Sequence, residues 1–467
     1  MPAPDLIQTP PLARAIADHA HGLGGRALIV GGWVRDLLRG HPSKDVDMEV
    51  FGVPQDALAS LLTRVGRVEA VGQSFPVYKV IPPSGHGDAV DVALPRRESK
   101  TARGHRGFAV AGDPFMSLAE AATRRDFTVN ALALDPRTDE ILDPTGRGLE
   151  DLHAGLLRAV DLRTFGDDSL RVLRAVQFAA RFAMRLDTDT AALCRTIPLD
   201  DLPAERIWAE VEKLLLQADQ PSFGMALALD LGIVDRLWPE LRPLVGCPQE
   251  PEWHPEGDVW VHTLLVLDQA AGANRDLTRG ERLAVMLGAL CHDLGKPATT
   301  AVIDGRIRSL NHEDAGVAPT LSLLDRLGVY SCDGYDVRGQ VVGLVAHHLK
   351  PGMLFKAGNA GDGAFRRLAQ KVNLELLARV ARADCNGRRE QFDCSAMDWF
   401  LNRARALGVE HQPPVPLLLG RHVLSLGVAP GPQVGNILKA VYDQQLDGHV
   451  TTLDEAVAAA RAVMDSA

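Results

Sequence analysis

Aromatic residues make up only 5% of this 467-residue chain, and its six cysteines, Cys194, Cys247, Cys291, Cys332, Cys385 and Cys394, include no Cys-x-x-Cys pair. That spacing suggests neither a zinc knuckle nor a disulfide framework, so ordinary core or surface thiols are expected. No apolar run approaches the length needed to span a bilayer. The start, Met1-Pro2-Ala3-Pro4-Asp5, lacks the basic region and apolar core of a signal peptide, so a cytoplasmic protein with no membrane partner is expected. Excess positive charge is missing too. A net charge of −10 argues against indiscriminate coating of nucleic acid, which depends on many phosphate contacts. Two local concentrations remain, Arg96, Arg97, Lys100, Arg103 and Arg106, then Arg379, Arg382, Arg388 and Arg389. Each reads as a local basic face or as the commoner solvated face.

An apolar share of 46% fits a soluble, helix-rich protein, and the length divides into about three domains. Strand-like runs at 27–30, 46–51, 77–81, 89–94 and 129–134 alternate with short helical patterns, which predicts an α/β or α+β domain up to about residue 147. Beyond Asp143-Pro144-Thr145-Gly146 helical periodicity dominates, as in Leu170, Leu173, Val176 and Phe178.

The most informative segment joins a strand at 27–30, through Gly31-Gly32, to a helix ending near Leu38, followed by Asp45-Val46-Asp47. Strand side chains alternate, so Asp45 and Asp47 face one way and Val46 and Met48 the other. Paired carboxylates repel unless a cation joins them, and oxygen-rich sites of this kind suit Mg²⁺ together with substrate phosphates. The combination points to phosphoryl or nucleotidyl transfer.

Gly31-Gly32-x-x-Arg35-Asp36, Asp45-x-Asp47, Arg124-Arg125-Asp126-Phe127-Thr128-Val129-Asn130-Ala131 and Asp167-Asp168-x-x-Arg171-x-x-Arg174 stand in the order that resembles class II tRNA nucleotidyltransferases, the CCA-adding enzymes, and the related bacterial poly(A) polymerases. The resemblance covers roughly residues 26 to 220. It implies a polymerase-β-like head at 1–147 and a helical neck and body at 148–245. Asp45, Asp47 and a third carboxylate, Asp91, would be catalytic, with Asp88 a competitor for the third place. Gly31, Gly32 and Arg35 would hold the triphosphate, Arg125, Asp126 and Asn130 the ribose and phosphates, and Arg174 the phosphates. Asp168 and Arg171, read as sharing a helix face, would recognise the base edge in place of a template.

Two positions depart from that pattern, Asp167 where Glu is usual and Gln177 where a phosphate-binding Arg is common. The second leaves Arg174 and Arg35 to carry more of the charge. The stretch between Leu94 and Arg124 resembles the mobile loop that the family uses when it switches nucleotide.

Downstream, His292-Asp293 closes an apolar helix, preceded by His262 and followed by Asp384. The set resembles HD-type phosphohydrolases, which implies a metal-dependent phosphohydrolase domain at 246–400 and a helical tail at 401–467. His312, His347 and His348 fall where some members bind a second metal. Imidazole with carboxylate suits Ni²⁺, Mn²⁺, Zn²⁺ or Fe²⁺ rather than Mg²⁺.

The expected activity is therefore addition of C, C and A to the tRNA 3′ end from CTP and ATP, with recognition of the acceptor stem by shape and backbone. Rival readings are an enzyme adding only CC or only A, a poly(A) polymerase, and a metal-dependent phosphohydrolase whose first domain only senses nucleotide or RNA.

Overall fold

Hydrophobic alternation at the front of the chain builds a sheet in the computed structural model, which describes residues 8–41, 43, 45–71, 76–85, 87–100, 108–388 and 392–465. The chain divides into two compact units, one up to Leu214 together with Leu227–Gly232, the other Leu215–Ala226 with the chain from Ile233. Residues 101–107 and 389, part of the basic segments and loop noted above, lie outside the described residues.

In the first unit the strands are β1 (Arg26–Val30), β2 (Val46–Phe51), β3 (Arg67–Val71), β4 (Val77–Ile81), β5 (Val90–Ala93), β6 (Arg96–Lys100), β7 (Phe108–Gly112), β8 (Ala133–Asp135) and β9 (Glu140–Leu142). Seven of them form one sheet in the order β3-β4-β5-β2-β1-β8-β9, and β6 and β7 form a separate hairpin. Among the described residues of this sheet, the β2–β5 pair alone is parallel. Val46, Met48 and Val50 point into a core with Ile29, Val80, Val90 and Val92. The helices α1 (Pro11–Gly22) and α3 (Gln55–Leu62) pack there because Ile16, Ala17 and Ala20, and Leu58, Leu61 and Leu62, recur at helical spacing. Between β1 and β2 runs the short α2 (Gly32–Leu38).

The structure corrects the expected strand at 129–134. Residues Thr128–Asn130 form a 3₁₀ turn, and the strand is only β8. Thr128 Oγ1 donates to Asp151 and Asn130 Nδ2 to Asp126, local bonds that outcompete a ladder. The neck helices α4 (Leu170–Phe182) and α5 (Ala204–Gln217) follow.

The second unit is helical, apart from the hairpin Thr300–Ile303 and Arg306–Ser309. Its centre is α7 (Arg279–Cys291), packed beside α6 (Val259–Gly272), α8 (Val337–His347) and α9 (Leu374–Asn386). From Leu283 to Cys291 every residue of α7 is buried, as a helix enclosed on all sides requires. Side-chain caps begin these helices, Asp258 for α6, Thr278 with Glu281 for α7 and Asn373 for α9. At the tail, Pro432–Asp447 and Leu453–Asp465 close over Ile437, Val441 and Ala460. Among the described residues no helix is long and apolar enough to cross a membrane.

Cys385 and Cys394 form a disulfide, against the expectation of free thiols. Their spacing of nine residues spans the turn after α9, a pairing that no Cys-x-x-Cys pattern announces. Three arginines of the basic concentrations are paired with acids. Arg97 meets Asp113, Arg379 meets Asp276 and Glu375, and Arg382 meets Asp398.

Candidate active sites

Sheet register assembles the first site. Val30 pairs with Asp47 across β1 and β2, so Gly31 leaves β1 beside that acid. Asp47 in turn pairs with Asp91 across the parallel β2–β5 contact, one strand spacing of about 4.8 Å away. Asp45, just before β2, is exposed on the same side, while Val46 and Met48 are buried. Asp88 is exposed and lines a different cavity, beside Pro82 and Gly87. Although Asp47 is exposed as a residue, loss of hydration at its carboxyl on the cavity wall pushes it above its ordinary value, with Asp91, Asp45 and Glu49 adding to the rise against Arg125. Two like charges 4 Å apart repel by about 1 kcal/mol in water and about 4 kcal/mol near a protein surface. A divalent cation among these oxygens relieves that repulsion.

Arginines line the cavity of about 430 Å³ beside Asp47, with Arg35, Arg125, Arg174 and Asn130 on its wall. Gly31 adopts φ +79°, a backbone conformation that favours glycine, and lies close to the Arg125 guanidinium. Arg35 is 4% exposed, lies 4.1 Å over the Phe182 ring, binds Asp36 and donates to Asn130 Oδ1 at 2.6 Å. Asn130 donates onward to Asp126, which also takes Arg174 Nε at 2.7 Å. Burial opposes charge on Asp126, yet Arg174, Asn130 and the Phe127 amide together hold its carboxyl below the ordinary value. Asp126 thus braces two cavity-wall groups. Glu49, which sequence reading missed, continues the 45, 47, 49 alternation and accepts from both Arg124 and Arg125.

Asp168 and Arg171 do not share a helix face, because α4 begins only at Leu170 and Asp168 is extended. Asp168 is clamped by Arg206 of α5, at 3.1 and 3.3 Å, and Arg171 donates to the carbonyls of Thr164 and Arg124. Both still line the same cavity, along with Arg206, which sequence reading also missed. Gln177 is buried and accepts from Arg181, so a guanidinium stands one turn further along α4 from the departure.

The second site is built from imidazoles at helix ends. His262 comes from the first turns of α6, His292 and Asp293 follow α7, His348 follows α8 and Asp384 ends α9, while His312 opens the short helix His312–Ala315. A Cβ on Gly295 would stand 2.0 Å from the His312 carbonyl oxygen, so glycine alone lets the segment after Asp293 lie against His312. His292, His312 and His348 each place Nδ1 2.8 Å from a main-chain carbonyl, of Ala289, Ser309 and Val345. Each Nδ1 donates to that carbonyl, which leaves Nε2 of each ring as the atom available to a cation. Those nitrogens converge. His312 Nε2 lies 3.1 Å from His348 Nε2, and 3.3 Å from Asp293, whose other oxygen is 3.1 Å from His292 Nε2. His262 Nε2 is 3.0 Å from Asp384.

Buried His292 Nε2 has no hydrogen-bond partner, Asp293 faces these nitrogens with Lys296 as its counter-charge, and imidazole nitrogens gathered round a carboxylate fit a cation. Three overlapping groups could hold a cation, His254, Glu256 and His262, then His262, His292 and Asp293, then Asp293, His312 and His348. Imidazole with carboxylate matches a transition ion. His347 is not with them. It is the last residue of α8, its Nδ1 has no hydrogen-bond partner, and burial and Lys371 hold its pKa down. Adjacent helical residues diverge by a large angle, so only one of the pair can face the cluster.

Burial also pushes His348 down to about 3, whereas His262 and His312 are raised, because hydrogen bonds to Asp384 and Glu256, and to Asp293, outweigh their burial. Lys296 meets Asp293 at 2.7 Å and Gln249 at 2.7 Å. The site opens on a cavity of about 320 Å³ lined also by Trp253, His254, Lys356 and Arg388. Lys296, His254 and Glu256 were missed by sequence reading, although Glu256 stands only six residues before His262.

Comparison with known proteins gives concordant matches. Residues 27–158 match the poly A polymerase head domain, 184–244 the probable RNA and SrmB-binding site of polymerase A, and 259–385 the HD domain. The chain is 38% identical over 372 residues to the multifunctional CCA protein of Laribacter hongkongensis, covering 78% of this chain and 85% of that one. It is 36% identical over 430 residues to the one from Xanthomonas campestris pv. campestris, covering 88% and 95%. In fold it is similar to the Bacillus stearothermophilus CCA-adding enzyme in complex with CTP, with TM-score 0.65, 23% identity and 97% of each chain covered. The Thermotoga maritima CCA-adding enzyme complexed with tRNA gives TM-score 0.58 at 17% identity, covering 97% and 95%.

Proposed function

We propose that this chain, which belongs to the family of multifunctional CCA proteins, completes the 3′ end of tRNA by adding C, C and A in turn from CTP and ATP. It is a nucleotidyltransferase, and the observation that carries the reading is the register that sets Asp47 between Asp91 and the Gly31 turn. We assign 1–147 to the nucleotidyltransferase head, 148–245 to the neck and body, 246–400 to the HD domain and 401–467 to the tail, and place its work in the cytoplasm.

Asp45, Asp47 and Asp91 would hold divalent cation, Mg²⁺ in our reading, which when bound supplies charge neutralisation for an attacking 3′-hydroxyl and a departing pyrophosphate. Gly31 and Gly32 admit the triphosphate close to the backbone, and Arg35, Arg125 and Arg174 meet its charge, each already aimed by Asn130, Glu49 or Asp126. Asn130 and Asp126 stand where ribose hydroxyls need acceptors. Asp168 and Arg171 read the base edge, exchanging their bonds to Arg206 and to main-chain carbonyls for bonds to cytosine or adenine. The acceptor stem is recognised by shape, since an A-form helix shows side chains little of its base edges.

The second site is proposed to hydrolyse a phosphoester such as a phosphomonoester, a 2′,3′-cyclic phosphate or a nucleotide. His262, His292, Asp293 and Asp384 would hold one ion and Asp293, His312 and His348 a second, from among Ni²⁺, Mn²⁺, Zn²⁺ and Fe²⁺. Such an ion supplies an acidified water and a polarised phosphoryl oxygen. Lys296 and Arg388 offer cations to the phosphate.

The test incubates protein and Mg²⁺ with tRNAs ending before CCA, after C and after CC, supplied with CTP, ATP or both. Ordered incorporation of both nucleotides that stops at CCA is the expected result. Incorporation of C alone or A alone selects a partial enzyme, a long A tail a poly(A) polymerase, and no incorporation beside intact phosphoester hydrolysis the sensor reading.

A further inference from the structure

Three of the imidazoles that face the second site are fixed by the carbonyl three residues before them, Ala289 for His292, Ser309 for His312 and Val345 for His348. His262 has no such partner. The equivalent carbonyl, that of Val259, is taken by Thr263 Oγ1 at 2.8 Å. A buried acid stands in its place. Glu256 Oε1 lies 2.7 Å from His262 Nδ1, and the same oxygen lies 2.8 Å from His254 Nδ1. The Glu256 side chain is 0% exposed.

A carboxylate oxygen set between two ring nitrogens accepts from both, so each imidazole donates from Nδ1. One oxygen thereby fixes two tautomers. His262 turns Nε2 toward Asp384 and Asp293, at 3.0 and 3.9 Å, where a divalent cation would take the place of its proton. His254, edge-on to His262 with ring centres 4.7 Å apart, keeps an acceptor nitrogen on a ring that lines the cavity.

We propose that Glu256 is the positioning residue of the second site, holding His262 as the Nδ1–H tautomer with Nε2 toward a divalent cation and locking His254 beside it as a wall of the substrate cavity. The inference rests on the reading of this site as a metal centre. Carboxylate partners of metal-bound histidine raise the basicity of the ligand and fix its plane, and their loss commonly costs 10–100-fold in metal affinity.

The experiment uses the full-length protein stripped of metal, titrated calorimetrically with Ni²⁺ at fixed pH, with the nickel-edge X-ray absorption of each loaded protein recorded. Glu256→Gln is expected to weaken binding about 10–100-fold, with Glu256→Asp recovering part of it, while the nitrogen and oxygen donor count and tRNA extension stay as in the parent. His292→Ala serves as the reference that removes a ligand. If Glu256→Gln binds Ni²⁺ within twofold of the parent while His292→Ala does not bind, the inference fails and the metal centre stands. Loss of one oxygen donor from the spectrum makes Glu256 a ligand and also overturns it. A parent protein that binds no Ni²⁺, Mn²⁺, Zn²⁺ or Fe²⁺ refutes the metal centre itself. If the variants lose helix content, His254→Phe replaces them, since it removes the second hydrogen bond while leaving His262 bonded to Glu256. Metal affinity within threefold of the parent is then required, and a tenfold loss contradicts the assignment.

Discussion

The acids of the head stand in the open, whereas the donors of the second unit are shut in. Asp45 and Asp47 are exposed, Asp47 lines a cavity rich in arginines, and its approach to Asp91 is set by strand register. His262, His292 and Asp293 are 0–1% exposed, and each metal-facing imidazole is pinned at Nδ1 before any cation arrives. An open carboxylate set suits Mg²⁺, which keeps its waters and comes with the triphosphate, so binding and release accompany each nucleotide. A closed imidazole set suits a resident ion. Two phosphoryl chemistries can thus share a chain without sharing a metal.

The contrast breaks most visibly if the two sites are disabled separately. Asp47→Ala is expected to slow nucleotide addition about 10³-fold, equivalent to about 4 kcal/mol of lost stabilisation, while hydrolysis at the second site is unchanged. His292→Ala should do the reverse. Extension assays and phosphoester hydrolysis on the same preparations check both, and a shared loss would contradict independence. Next in size, Arg174→Ala removes a triphosphate cation and frees Asp126, so the KM for ATP and CTP should rise about 10–100-fold. Steady-state kinetics that show an unaltered KM would place the triphosphate elsewhere.

Acidity sharpens the contrast further. His262 and His312 have raised pKa values in the metal-free protein, so the stability from their charged forms is complete below the ordinary histidine value of about 6.5 and is lost as pH rises through the raised values. A cation competes for the same nitrogens, so its affinity should grow about tenfold per pH unit for each histidine it deprotonates, up to those values. Melting curves with and without Ni²⁺ between pH 6 and 8 should show a widening gain in Tm. A constant gain would mean that the imidazoles are neutral throughout. The smallest effect belongs to Asp88→Asn, which should alter extension less than twofold because Asp88 lines another cavity.

How much of this was legible follows from the range of each interaction. Alternation along one strand sufficed for Asp45 and Asp47, and would have sufficed for Glu49. The choice of Asp91 over Asp88 needed the parallel β2–β5 register, which no local pattern encodes. The 3₁₀ turn at 128–130 was misread because its apolar residues mimic a strand while Thr128 and Asn130 bond locally. His347 and His348 are chemically identical neighbours, and only the end of α8 decides which turns inward. Arg206 reaches Asp168 from 38 residues away, and Cys385 finds Cys394 across a turn, so sequence spacing announced neither. Glu256 stands only six residues before His262, but a loop carries it to that ring, so no helical or strand spacing marks the pair.

The account turns on whether open acids at the head carry polymerisation. Sequencing of RNA ends from a tRNA lacking CCA, incubated with CTP, ATP and Mg²⁺, compares the parent with the Asp45→Asn, Asp47→Asn double variant. The parent should yield ends that read CCA and go no further, and the double variant should leave the ends unextended while phosphoester hydrolysis persists. Equal extension by both proteins would contradict the account.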